Sequence, residues 1–402
     1  LALWMLRLGS TGVEWLGAGD GEDARNLLST LLGAVIGMAS IVFSITVVSL
    51  SLAANSYGPR LIRTFRSSRS TQLVIGTFMM SIVYLLLVLR AVRGEADATE
   101  VPEAAVAFGS LLALVSVLAL LAFIQSVATL MVADEVVRRV RKEFNSAIGK
   151  LPKAGEHSTS ARLPDDFEAG AVRIPLPREG YVQSVEYSEI VEWAERRDSI
   201  VRLDFRPGDF VVDGDRKVLI YPAPHNSEEA RKQIGRFIVS GEKRTPTQDL
   251  EFATRHLVEV AVRALSPGVN DPFTAMAVID RLRGGLARLC QHDLPSKVLV
   301  GSSGKLRVWR DETTFRGVVD TAFRQIRQAG AANPAVLVHM LKALGALGEH
   351  VRTDEQRDAL EGHAKLVATA GGRDVSEPAD LEDLQRELRR ALSALSAGAC
   401  GA

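Results

Sequence analysis

"FSITVVSLSLAANSYGPRLIRTFRSSRS", residues 43–70, decides how the chain is read. It opens as apolar as a lipid-buried helix, yet hydroxyls recur through it. It then breaks at Gly58-Pro59 and releases Arg60, Arg63, Arg66 and Arg69 with no acid among them. Pro59 disfavours helical geometry at Gly58, and Gly58 tolerates the turn. The pattern is that of a membrane helix ending at a basic surface. The four arginines are candidate lipid-headgroup anchors, each worth about 1 kcal/mol against anionic lipid.

Working outward, residues 26–59 form 34 positions without a charge, residues 70–89 form 20, and residues 104–133 form 30. A helix needs about 20 residues to cross the hydrocarbon, and backbone groups in lipid must bond within their own segment. Three complete spans follow. The N-terminal "LALWMLRL" reads as the tail of a fourth span that starts upstream. Loop charges then set an orientation. Residues 9–25 carry Glu14, Asp20, Glu22 and Asp23; residues 91–103 carry Glu95, Asp97, Glu100 and Glu103. The arginine-bearing loop and "DEVVRRVRKEF" are the positive sides. The expectation is a multi-pass protein of a bacterial inner (plasma) membrane with a cytoplasmic C-terminal region.

Small and polar residues in the first complete span fall at Ser29, Gly33, Gly37, Ser40, Ser44, Ser51 and Asn55, with Val47 in the one remaining place. The steps of three and four keep them on one slowly drifting helix face. Two readings stay open. One is a packing seam, since membrane helices associate by close backbone approach and interhelical hydrogen bonds. The other is the wall of a conduit between subunits. No Asp, Glu, Lys or Arg lies inside a run, which argues against a proton-coupled or ion-coupled carrier. Ser116, Gln125, Ser126 and Thr129 add polar groups to the third run.

The remaining two thirds is charge-rich. "LPKAGEHSTSARLPDDFEAG" is a linker. Alternating segments at 181–185, 201–205 and 217–221, separated by turn residues, predict a small β-domain with one helix near 189–197. The "GYVQSV…RPGDFVVDG" rhythm is similar to biotinyl and lipoyl barrel domains, without their lysine-bearing hairpin. "GSSGK", 301–305, predicts a hairpin turn. Apolar spacing predicts a helix over 250–265 carrying an i,i+4 pair, Glu259 and Arg263. Asp271 and Pro272 are suited to cap and open the next helix. Four further helices follow, with Asn333-Pro334 and the Thr353–Glu355 region as loose starts. The expected fold is therefore an α-helical integral membrane domain (1–143, three complete spans plus the tail of a fourth), then a cytosolic α+β region. The latter comprises a helix end and linker (144–168), a small β-rich domain (169–226) and a helical bundle (227–402).

Arg244, Gln248, Asp249, Glu259, Arg263, Ser266, Asn270 and Asp271 are candidates to converge on a small polar ligand or a partner subunit. The seven histidines are scattered, and the two cysteines, Cys290 and Cys400, lack metal or redox spacing. No phosphate loop, dinucleotide fingerprint or nucleophile elbow occurs, so no enzyme activity, cofactor or metal is expected. Lys plus Arg number 48 and Asp plus Glu 48, which gives no general attraction to nucleic acid.

The segments "FSITVVSLSLAANSYGPRLIRTFRSSRSTQLVIGTFMMSIVYLLLVLR" and "VEVAVRALSPGVNDPFTAMAVIDRL", in that order, resemble the bacterial predicted-membrane-protein family catalogued as domain of unknown function 2254. The resemblance implies four spans and a cytosolic C-terminal domain, and no activity. Where family members often have Gln after "SL", this chain has Ser51. The functional expectation is an oligomeric membrane protein, a homo-oligomer in contact with lipid, with a channel-like or passive-transport role under a cytosolic regulatory domain. The alternative is a membrane-anchored scaffold or sensor whose helical region binds a partner or small ligand.

Overall fold

The computed structural model describes residues 21–57, 69–94, 103–130, 133–149, 151, 161–176 and 178–397. Three long apolar helices near the N-terminus precede a mixed helical and sheet region, and the chain divides into two compact units, Leu1–Val136 and Val137–Ala402.

In the first unit, α1 (Gly21–Tyr57), α2 (Arg69–Gly94) and α3 (Glu103–Leu130) pack pairwise. Their apolar stretches Glu22–Ser51, Thr71–Val92 and Ala104–Val127 are each long enough to cross a bilayer. α1 turns Leu28, Val35, Val42 and Ser49 inward, one every seven residues, as a seam facing two neighbours must. α2 answers with Phe78, Ser81, Leu85 and Val88, and α3 with Val106, Leu112, Ser116 and Phe123. Gly109 lets α3 approach closely: a Cβ there would sit 3.0 Å from a Leu85 methyl.

Polar contacts tie α2 to α3. The buried Ser116 Oγ lies 3.0 Å from Ser81 Oγ, and the Tyr84 hydroxyl donates to the Ala105 carbonyl at 3.1 Å. Ser81 in turn donates to the Thr77 carbonyl at 2.8 Å. Arg60, Arg63 and Arg66 lie outside the described residues; Arg69 opens α2.

In the second unit, α4 (Ala133–Ile148) brings the chain in, and the short α5 (Phe167–Gly170) leads to the strands. A five-stranded sheet has the order β1-β5-β3-β8-β7, formed by Val172–Ile174, Val218–Tyr221, Ile200–Leu203, Leu306–Arg310 and Val298–Val300. A three-stranded sheet has the order β4-β2-β6, formed by Phe210–Val211, Gly180–Val185 and Ile238–Gly241. Helices α6 (Tyr187–Arg196) and α7 (Ser227–Arg236) share a core with both sheets through Ile190, Trp193, Val182, Leu203, Ile234 and Val308. The strands expected at 181–185, 201–205 and 217–221 are present with ends shifted by one or two residues.

The segment expected as a helical bundle, 227–402, also contributes strands. β6, β7 and β8 come from the segment assigned to the helical bundle, and β8 pairs in parallel with β3, Val201 opposite Val308. A parallel partner cannot come from a tight hairpin, so the intervening chain is folded into the same unit. The two halves of the barrel-like rhythm pair directly, as β2 and β4 of the three-stranded sheet.

The helices are α8 (Leu250–Ala264), α9 (Pro272–Leu289), α10 (Phe315–Ala329), α11 (Pro334–Ala346), α12 (Asp354–Asp374) and α13 (Pro378–Ala397). Asn226, Asp249, Asp271, Thr314, Asn333 and Thr353 each accept from the backbone N–H three residues on, the bond that satisfies an orphan donor at a helix start. At Thr353 the third position is Gln356, not Glu355. Its side-chain oxygen accepts from Arg352 N at 2.9 Å, so the start is close to a capping box.

Removing both hydroxyls of the Ser81–Ser116 pair tests the interhelical contact. In a double-mutant cycle with Ser81→Ala and Ser116→Ala, unfolding in mixed micelles should give a coupling energy of about 0.6 kcal/mol, with about 2 kcal/mol as a ceiling. A coupling of zero shows that the Ser81–Ser116 contact contributes nothing to the association of the two helices.

Candidate functional site

The stripe residues Ser29, Gly33, Gly37, Ser40, Ser44 and Ser51 are all exposed in the chain, on the side of α1 opposite Leu28, Val35, Val42 and Ser49. A Cβ on Gly33 or Gly37 would meet nothing within 4 Å. Ser40 returns its hydroxyl to the Ile36 carbonyl at 3.0 Å. Asn55 lies in the last turns of the same helix. The polar edge therefore does not pack within the described three-helix bundle, whose interior hydroxyls among the described residues include instead those of Ser49, Ser81, Tyr84 and Ser116.

The eight candidates of the second unit do not form one cluster. α8 has 15 residues, so its two ends lie about 20 Å apart at 1.5 Å per residue. Arg244, Gln248 and Asp249 gather at its N-terminal end. Glu259 and Arg263 sit on later turns, both half-buried, and Ser266, Asn270 and Asp271 form the connection beyond. There the Ser266 hydroxyl donates to the Arg263 carbonyl at 2.6 Å, and Asn270 takes φ +46. Asp271 caps α9, with Oδ1 accepting from Thr274 N at 3.0 Å. Bonds from the Thr274 hydroxyl and then its N–H hold this carboxyl below the usual carboxylate range. This group has a sufficient structural role as a helix junction.

The N-terminal end of α8 is built differently. Asp249 is buried, caps the helix through Phe252 N at 2.9 Å, and forms an ion pair with Arg244. The Arg244 guanidinium also lies over the Phe252 ring, 5.2 Å from its centroid. Gln248 behaves as a strand surrogate: its oxygen accepts from Val185 N at 3.0 Å and its NH2 donates to Val185 O at 3.2 Å. The turn at Pro207-Gly208 closes over this group. Gly208 has φ +100, and a Cβ there would collide with the Asp249 carboxylate, so only glycine fits. Arg206, before that turn, reaches both oxygens of Glu251 at 2.9 and 3.0 Å.

Of these residues, Arg206, Pro207, Gln248 and Asp249 border a cavity of about 400 Å³. Its other walls are Tyr187, at the start of α6, Arg310 and Asp311 at the end of β8, Pro295, and Ala147 and Leu151 from the end of α4 and just beyond. α4 is keyed in place by Phe144, which fills the space left by the missing Cβ of Gly285. Arg310 lies over the Tyr187 ring at 4.1 Å. Burial pushes the Tyr187 phenol up, opposed by the Arg310 charge, so it stays protonated and available to donate. A smaller cavity of about 150 Å³ is lined by Arg255, Asp320, Thr321, Arg324 and Gln325. His363 Nε2 lies 2.6 Å from Asp320 Oδ1.

Among the described residues, no group of three His, Cys, Asp or Glu is placed to hold a metal ion. Cys290 is buried and its thiol is pushed up to about 12, so it carries no reactive thiolate at neutral pH. Cys400 lies outside the described residues.

Of the candidates, Gln248 and Asp249 border this cavity and Arg244 stands behind them on Asp249, while Arg206, Tyr187 and Arg310 were not among the candidates. No local signal pointed to Arg310: "LRVWR" is covered through its pairing with β3, about a hundred residues upstream.

The family model described as predicted membrane protein (DUF2254) matches residues 1–346. The chain belongs to this family. It is 30% identical over 370 residues to the uncharacterized proteins MT1328 of Mycobacterium tuberculosis (strain CDC 1551 / Oshkosh) and Mb1321c of Mycobacterium bovis (strain ATCC BAA-935 / AF2122/97). The match covers 90% of this chain and 71% of each relative. No solved structure matches the chain. The DUF2254 match includes every residue bordering the larger cavity and ends at the last residue of α11.

Asp249→Ala removes a cap and strands the Arg244 charge. Urea denaturation followed by tryptophan fluorescence should show a loss of about 2–4 kcal/mol, about 1 from the cap and the rest from the charged hydrogen bond. A loss below about 1 kcal/mol means that the cluster is solvated in solution.

Proposed function

We propose that this protein is a membrane-anchored sensor: the apolar helices hold it in the bilayer, and the cavity beside the start of α8 receives a small ligand. The supporting observation is that Ala147 and Leu151 form part of the cavity wall. They lie at the end of α4 and just past it, and α4 begins at Ala133, shortly after α3 ends at Leu130. A ligand in the cavity presses on the segment that follows the third apolar helix. The charge pattern of the loops supports an inner-membrane protein with this unit on the cytoplasmic side.

Ala147→Trp places a large side chain in the cavity and mimics occupancy. Amide hydrogen exchange of the full chain in detergent should change by tenfold or more across α4 while α11 keeps its protection. Unchanged exchange in α4 removes the case for coupling.

The outward edge of α1 favours a second, compatible reading, association of copies through that face, with a channel-like conduit as its strongest form. Gly33 and Gly37, with open space above them, have the spacing at which helices approach closely. Gly33→Leu with Gly37→Leu should lower the particle mass in native mass spectrometry and abolish any conductance in planar bilayers. An unchanged mass places the association elsewhere.

A further inference from the structure

Among the described residues of the second unit, three Asp, Glu, Lys or Arg side chains are buried: Asp249 at 4%, Arg307 at 5% and Arg310 at 9% exposure. A buried charge without a counter-charge costs several kcal/mol, and two of the three have one. Asp249 has Arg244, and Arg307 lies 2.8 Å from Asp198. Arg310 differs. Its Nε donates to the Ser296 carbonyl at 2.8 Å and its plane covers the Tyr187 ring, but among the described residues no carboxylate lies within ion-pair distance. A carbonyl dipole and a ring face offset only part of that cost. The same guanidinium lines the 400 Å³ cavity, a volume within the range of small-molecule sites.

We propose that the cavity binds a small monocarboxylate with an apolar body, its carboxylate pairing with Arg310 and its body lying against Pro207, Pro295 and Leu151. This rests on reading the cavity as the sensing site. Arg is suited to the task because its planar fork presents parallel N–H groups to two oxygens. The Tyr187 phenol, kept protonated, offers one further donor beside it. The number of charges follows from the rim. Asp311 and Glu312 also border the cavity and are exposed. Their repulsion opposes a dianion more than a monoanion, which ranks a carboxylate ahead of a phosphate monoester.

Calorimetric titration of the full chain in detergent with benzoate, benzamide and phenyl phosphate, at matched ionic strength, tests this. Expected is saturable benzoate binding, with benzamide and phenyl phosphate each at least tenfold weaker. Arg310→Gln should weaken benzoate at least tenfold and leave benzamide unchanged, and Arg310→Lys should recover part of the loss. Benzamide is the control that needs no altered protein. Equal binding of benzoate and benzamide, both lost in Ala147→Trp, overturns the carboxylate assignment and leaves the cavity as a ligand site. Tighter binding of phenyl phosphate overturns the monoanion ranking. Absence of saturable binding for all three overturns the proposal, while a changed α4 exchange in Ala147→Trp would still keep the coupling reading alive.

Discussion

The parallel pairing of β3 with β8 is the constraint on which the second unit depends. It joins residues 201–203 to 308–310 across about a hundred residues of chain. Loop closure on that scale is unfavourable, and the cost grows only slowly with length. The intervening elements offset it by burying their own apolar faces. β8 is thereby fixed beside β3, with Arg310 at its end over Tyr187 at the start of α6. The cavity exists because separate stretches of chain, at 147–151, 187, 206–207, 246–250, 295 and 310–313, are held at this edge by one strand pair and one capped helix.

The first unit is organised by a different shortage. Lipid offers no hydrophobic drive for helices to associate, so packing detail and a few hydroxyls decide which faces meet. α1 is two-sided in consequence. One side, repeating every seven residues, is apolar and closed by α2 and α3. The other is made of serine and glycine and is left open. Glycine on an open face gains nothing by itself and lowers helix propensity, so its cost there is recovered when another surface comes close.

Much of the fold was legible in the sequence because its signals are local. Uncharged runs fix the apolar helices. Asp271 before Pro272 and Asn333 before Pro334 announce helix starts by bonds that span three residues, and "GSSGK" announces a hairpin. The site was only half legible. Arg244, Gln248 and Asp249 are neighbours in sequence and stay neighbours in space, whereas Glu259, Arg263, Ser266, Asn270 and Asp271 were separated from them by the length of α8. Arg310 and the strand that carries it were not legible: "LRVWR" carries two arginines and resembles a polar surface, and a partner strand from far upstream accounts for its burial. Long-range pairing has no local signature.

Phe144 seated over Gly285 has a mechanical meaning. The ring occupies a slot that exists only because one residue of α9 lacks a side chain, and Ile148, one turn on, is buried as well. A helix keyed in this manner is able to swivel about the ring through small angles, but it cannot slip along its axis by a turn without leaving the slot empty and driving a different side chain into α9. Motion passing along this segment is therefore rotation in character, not a piston stroke.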